Sequence, residues 1–170
     1  MNKLLASVCI IASAVIFGME LSKHKRMKLC VLREICNALD LLHGEMRARP
    51  AHISVLCLRT SEKCRGQVGE FFLSVSEAIE DLGHMSFAEI WEKSMINTLL
   101  DLDRQAKNSF RMLGEKLGAF GLEEQLKAIS FCKEELELLL TECARKYEGS
   151  KKLFLGIPCS LAAMLLVVLL

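Results

Sequence analysis

The stretch LGEKLGAFGLEEQ, residues 113–125, decides the fold. Gly114 and Gly118 stand one helical turn apart, so on an α-helix they share a face without side chains that a second helix can approach closely. Leu113 and Leu117 repeat beside them at the same spacing, and Gly121 permits a sharp turn before the chain resumes at Leu122. A glycine cluster that merely ends a helix has the same appearance. The stretch therefore reads either as a contact element, with Leu113, Gly114, Leu117, Gly118, Gly121 and Gln125 as its residues, or as internal packing.

Outward from this turn, apolar residues keep helical spacing in both directions. Leu122, Leu126, Ile129, Leu136, Leu140, Cys143 and Tyr147 form a heptad seam on a sixth helix, from 122 to about 147, interrupted by Lys133. A fifth helix, from about Leu100 to Leu117, presents Phe110, Leu113 and Leu117. Before it, Ser86 and Glu89 make a capping box for a fourth helix, with Ile90, Trp91 and Met95 on its buried side. Trp91 belongs to that stripe and reads as a core anchor. Gly66 precedes a third helix with Val68, Phe72, Val75, Ile79 and Leu82 on one face and Gly83 as its C-terminal cap. Pro50 marks the restart into a short second helix, AHISVLCLRTSEK. The first helix runs from near Leu21 to about Arg47, with Leu32, Ile35, Leu39, Leu42 and Met46 facing one partner surface. The fold class is all-α, a six-helix bundle-like domain.

The chain of 170 residues has room for one such domain once its two hydrophobic ends are set aside. From Leu4 to Met19 there is no charge, and with Lys3, Glu20 and Leu21 snorkelling the segment 1–21 is long enough to span a membrane. A cleaved signal peptide competes through Ala12, Ser13 and Ala14, but cleavage there would split the continuous run before Val15, Ile16 and Phe17. At the other end, residues 153–170, LFLGIPCSLAAMLLVVLL, form a second uncharged segment. A glycolipid-anchor signal is excluded because only Lys151 and Lys152 separate Gly149 and Ser150 from it, in place of a polar spacer. Lys23, Lys25, Arg26 and Lys28 follow the first segment, and Arg145, Lys146, Lys151 and Lys152 precede the second. By the positive-inside rule this makes a two-pass membrane protein, with residues 22–152 a cytoplasmic helical domain.

Charge is unevenly spread. Residues 22–65 carry ten Lys/Arg against four Asp/Glu, and residues 66–150 carry nine against sixteen. A basic half near the membrane suits anionic headgroups, although solvated helix faces give similar counts. The eight cysteines include no CxxC pair and no zinc-type Cys/His spacing, so those in the middle region read as small, reduced hydrophobes. There is no Walker loop, GxSxG, HExxH or conventional DNA-binding signature. Asp101 and Asp103 are i and i+2 and point to different sides of a helix, while His24, His43, His52 and His84 are scattered. No catalytic residue, cofactor, metal, nucleic acid or small-molecule substrate is expected.

The segments LREICNALDLLHGEM, FAEIWEKSM, LGEKLG and EEQLKAI, in this order between two hydrophobic ends, resemble the stage III sporulation protein AB family of endospore-forming bacteria. The resemblance covers essentially the whole chain, and the LG…LG element with Gln125 is its most specific part. The segment AFGLEE before Gln125 lacks the Asp usual there in that family. The resemblance implies a platform subunit of the channel complex joining mother cell and forespore, on the mother-cell side. Such a subunit is similar to the inner-membrane platform of type II secretion and type IV pilus systems. It implies other sporulation-channel membrane proteins as partners and, by analogy, a secretion-type ATPase. The competing reading is a tail-anchored helical regulator of the apoptosis type. For that reading FRMLGEKL has Glu115 where Asp is expected, and the chain lacks the NWGR sequence.

Overall fold

In the computed structural model the described backbone comprises residues 26–80, 85–99, 102–119 and 121–169, with side chains as far as residue 146. The expected N-terminal span, Lys23 and Lys25 lie outside the described residues, as do the side chains of Lys151, Lys152 and the expected C-terminal span. Among the described residues no helix is long and apolar enough to cross a membrane. Contacts divide the chain into one unit of Lys28–Thr141 and another of Met1–Met27 with Glu142–Leu170.

The first unit is an all-α bundle of six helices. They are α1 (26–48), α2 (Ile53–Lys63), α3 (Gly66–Glu80), α4 (Phe87–Thr98), α5 (Arg104–Ala119) and α6, which starts at Leu122. Its core takes the apolar stripes read from sequence. Leu32, Ile35, Leu39, Leu42 and Met46 of α1 meet Val68, Phe72 and Val75 of α3, Ile90, Trp91 and Met95 of α4 and Phe110, Leu113 and Leu117 of α5 in one cluster. Each such side chain contributes roughly 1.5–3 kcal/mol by leaving water. Two buried hydroxyls find partners: Thr60 donates to the Leu56 carbonyl at 2.8 Å, and the Ser94 hydroxyl meets that of Ser74 at 3.0 Å between α4 and α3.

Several expected boundaries move, each for a physical reason. α5 starts at Arg104 rather than Leu100, and Leu99 and Leu102 ahead of it are buried in the core. Gly66 is the first residue of α3, with φ +56°, a conformation glycine adopts without steric cost. Gly69, one turn on, lets the α2 end approach, since a Cβ there would stand 2.8 Å from the Cys64 carbonyl oxygen. The α6 seam is Ala128, Ile129, Cys132 and Leu136, with Leu126, Leu139 and Leu140 partly buried against it. Leu122 is 44% exposed, at the mouth of a groove rather than in the seam. Lys133 does not interrupt the seam but flanks it, reaching Asp40 of α1 at 2.7 Å and Glu137 at 3.4 Å.

In the second unit the described part is mainly the continuation of α6, which stays helical to Leu169 instead of ending near Tyr147. Glu142 and Lys146 lie 3.9 Å apart there as an i, i+4 pair.

Successive helices α2 to α5 pack on their neighbours. α6 lies against α5, where the Cys132 thiol reaches the Ser109 carbonyl at 3.6 Å, and against α1 through Lys133 and Asp40. α1 and α6 run antiparallel: Asp40 meets Lys133, while further along α1 Met46 shares a groove with Leu122 and Gln125. Residue Lys28, where the chain enters the unit, is therefore at the same pole as Thr141, where it leaves. Lys28 also pairs with Asp103 at 3.1 Å, which puts the α4–α5 connection at that pole. The α1–α2 and α5–α6 connections and the start of α4 meet at the other pole.

Candidate partner-binding groove

The LG…LG stretch sits on the C-terminal half of α5 and faces α4. Leu113 and Leu117 are buried in the core. A Cβ on Gly114 would collide with Cδ1 and Cγ of Trp91 and stand 2.9 Å from its Cβ. One turn on, a Cβ on Gly118 would stand 2.9 Å from the Phe87 Cβ and 3.1 Å from its Cδ1. The bare face of α5 is thus matched, in antiparallel order, by Trp91 and Phe87, themselves one turn apart on α4.

The Trp91 ring is held from every side. It lies 4.8 Å from Phe71, 4.9 Å from Phe110, 5.7 Å from Phe87 and 5.9 Å from Phe72 between centroids. Its Nε1 donates to the Phe110 carbonyl at 2.9 Å, one turn before Gly114. Ring and backbone therefore fix the α4–α5 separation together. The start of α4 is fixed by its capping box, in which the Glu89 N–H donates to Ser86 Oγ at 3.3 Å and the Ser86 N–H donates to Glu89 Oε2 at 2.7 Å. The bonds that the Glu89 carboxylate accepts from the Ser86 N–H and the Ser86 hydroxyl hold it below its ordinary pKa.

Gln125 ties the next turn. Its Nε2 donates to the Leu117 carbonyl at 2.8 Å, satisfying one of the last acceptors of α5 from the first turn of α6. A Cβ on Gly121 would meet open space, so no close approach is made there.

These elements enclose an apolar groove of about 420 Å³ at the pole opposite the chain's entry and exit. Gly118, Leu122 and Gln125 form one wall, and Met46, Pro50, Ala51, His52 and Ile53 the other, with Phe87 between them. Of the residues singled out in the sequence, Leu117, Gly118 and Gln125 come together here, while Leu113 and Gly114 lie in the core. The α1–α2 wall was not read from sequence, since nothing local ties residues 46–53 to 117–125. The Phe87 contact had a signal: Phe87 and Trp91 have the same i, i+4 spacing as Gly118 and Gly114. Arg26 is exposed, and Lys28 is engaged by Asp103.

Burial pushes the thiols of Cys36 and Cys64 up to about 11 and those of Cys57 and Cys132 up to about 12, so all four stay protonated at neutral pH. The Glu45 carboxyl is held below the ordinary range by its hydrogen bond from Lys63 and by nearby Arg59. Among the described residues no group of His, Cys, Asp or Glu is placed to hold a metal ion.

The sequence pattern of stage III sporulation protein AB matches residues 3–170 of this chain. The chain belongs to that family. A solved structure titled stage III sporulation protein AB has the same fold, with a TM-score of 0.65 and 18% sequence identity over 72% of this chain and 97% of that one. No curated protein matches. As a member of the stage III sporulation protein AB family, the chain is a structural component of sporulation and not an enzyme. It works through contacts with other proteins.

Proposed function

We propose that this member of the stage III sporulation protein AB family is a platform subunit of the channel complex between mother cell and forespore. In this reading residues 1–21 and 153–170 anchor it in the membrane, and residues 22–152 form its cytoplasmic domain on the mother-cell side. The observation that carries the reading is the antiparallel pairing of α1 and α6, which brings the chain's entry at Lys28 and exit at Thr141 to one pole of the bundle. In this reading the groove formed by Leu117, Gly118 and Gln125, at the pole of the bundle away from Lys28 and Thr141, is the surface offered to partners. Partners are other membrane proteins of the sporulation channel, with a secretion-type ATPase as the source of energy by analogy.

The test is Ala51→Trp in the full chain. Ala51 is exposed at the groove and lies outside the buried core, so the larger ring fills the groove from its α1–α2 wall. Loss of sporulation at normal protein abundance is expected. Normal sporulation would contradict the groove as the working surface. Reporter fusions within residues 60–120 test the anchoring separately, and an external domain would contradict it.

A further inference from the structure

Residues 66–92 contain Glu70, Glu77, Glu80, Asp81, Glu89 and Glu92 and no Lys or Arg. On α3 the face turned from the core is Glu70, Leu73, Glu77 and Glu80, spaced by three and four residues and all exposed. The preceding helix of the hairpin, α2, presents Leu58 and Glu62 outward, one turn apart. The two outward faces adjoin. A Cβ on Gly69 would stand 3.4 Å from the Ser61 carbonyl oxygen, which fixes where the antiparallel helices touch. Leu58, three residues before Ser61, and Leu73, four residues after Gly69, are therefore level with each other along the crease between α2 and α3. Both leucines are 39% exposed.

The cations of the hairpin do not answer these carboxylates. Arg59 and Lys63 lie on the opposite edge of α2, at 3.5 and 2.6 Å from Glu45 of α1. Arg65, at the hairpin tip, is the one other Lys or Arg in residues 53–80. Among the described residues the carboxylates of Glu62, Glu70, Glu77 and Glu80 have no ion-pair or hydrogen-bond partner. Leucines held in water at the centre of a face of one sign favour a partner that is both apolar and cationic, and they disfavour anionic lipid and nucleic acid. We propose that the outer crease of the α2–α3 hairpin docks a basic amphipathic helix of another protein. Its apolar residues sit on Leu58 and Leu73, and its Lys or Arg residues pair with Glu62, Glu70, Glu77 and Glu80. The apolar contact supplies affinity, and the surrounding carboxylates set register and reject acidic competitors. None of these residues lines the groove, so this surface stands whether or not the groove binds a partner.

The test places a benzophenone photo-crosslinking residue at position 73 of the full chain in sporulating cells and sequences the crosslinked peptide by mass spectrometry. The expected adduct is to a protein segment with apolar residues at helical spacing and Lys or Arg in excess of Asp and Glu. Glu70→Lys with Glu77→Lys should lower its yield at least about tenfold at unchanged abundance, since both positions face solvent. Glu62→Lys, on the other helix, repeats the reversal if the double change lowers abundance, and its yield should fall too. No adduct, an adduct to lipid, an adduct to a neutral or acidic segment, or a yield unchanged by charge reversal each overturns the proposal.

Discussion

Replacing Gly114 by Ala sets two effects of opposite sign against each other. In an exposed helix the change stabilises by about 1 kcal/mol, because alanine loses less conformational freedom than glycine. Here the new methyl would occupy space held by the Trp91 ring. Trp91 cannot step aside freely: four phenylalanine rings surround it, and its Nε1 is bonded to the Phe110 carbonyl. Overpacking costs about 1–3 kcal/mol, and a buried indole N–H pulled off its acceptor costs about 1–3 kcal/mol more. The net expectation is a loss of about 3 kcal/mol once the helix gain is subtracted. Gly118→Ala makes the comparison. Gly118 is exposed and its contact, Phe87, is only partly buried, so the clash is milder and the helix gain offsets most of it. A change within about 1 kcal/mol of wild type is expected. Thermal unfolding of the full chain in detergent, followed by circular dichroism and by fluorescence of Trp91, reads both variants. At roughly 4–8 °C per kcal/mol, Gly114→Ala should lower Tm by about 12–24 °C and Gly118→Ala should move it by no more than about 8 °C. If Gly114→Ala matches or exceeds wild type, helix propensity dominates and the account of α4–α5 packing is wrong.

Other expectations follow from the same contacts. Ser86→Ala removes the hydroxyl of the capping box and should cost about 1 kcal/mol in the same melt. Because the folded pKa of Glu89 is depressed by its bonds to Ser86, its contribution is present above the ordinary carboxylate pKa and is lost as pH falls through the folded value. Wild type should therefore lose more stability than Glu89→Gln between about pH 5 and pH 3. N-ethylmaleimide at neutral pH, read by mass spectrometry, should modify exposed Cys30 rapidly and reach Cys36, Cys57, Cys64 and Cys132 only after denaturation. Gln125→Ala removes the bond to the Leu117 carbonyl and should cost about 1 kcal/mol, with amide exchange rising at the start of α6.

The bundle was legible because its information is local. The stripes of α1, α3, α4 and α5 are periodic, and Ser86 with Glu89 marks a helix start three residues apart in sequence. The boundary errors came where tertiary burial overrides spacing: Leu99 and Leu102 look like helix residues but are buried outside the helices, ahead of α5. The groove was half legible. Gly118 and Gln125 stand out in sequence, whereas Pro50, Ala51 and His52 become neighbours of theirs only through the antiparallel return of α6 on α1. The two glycines show the same division, since the spacing announces a close approach but only the fold assigns it to Trp91 and Phe87.

The central claim is that the groove pole, not the pole of chain entry and exit, meets the rest of the sporulation machinery. A photo-crosslinking residue placed at Ala51 in the full chain, and in a second strain at Asp103, tests it in sporulating cells with adducts identified by mass spectrometry. The account predicts an adduct with a sporulation membrane protein from position 51 and none from position 103. An adduct from position 103 with none from position 51 would contradict it.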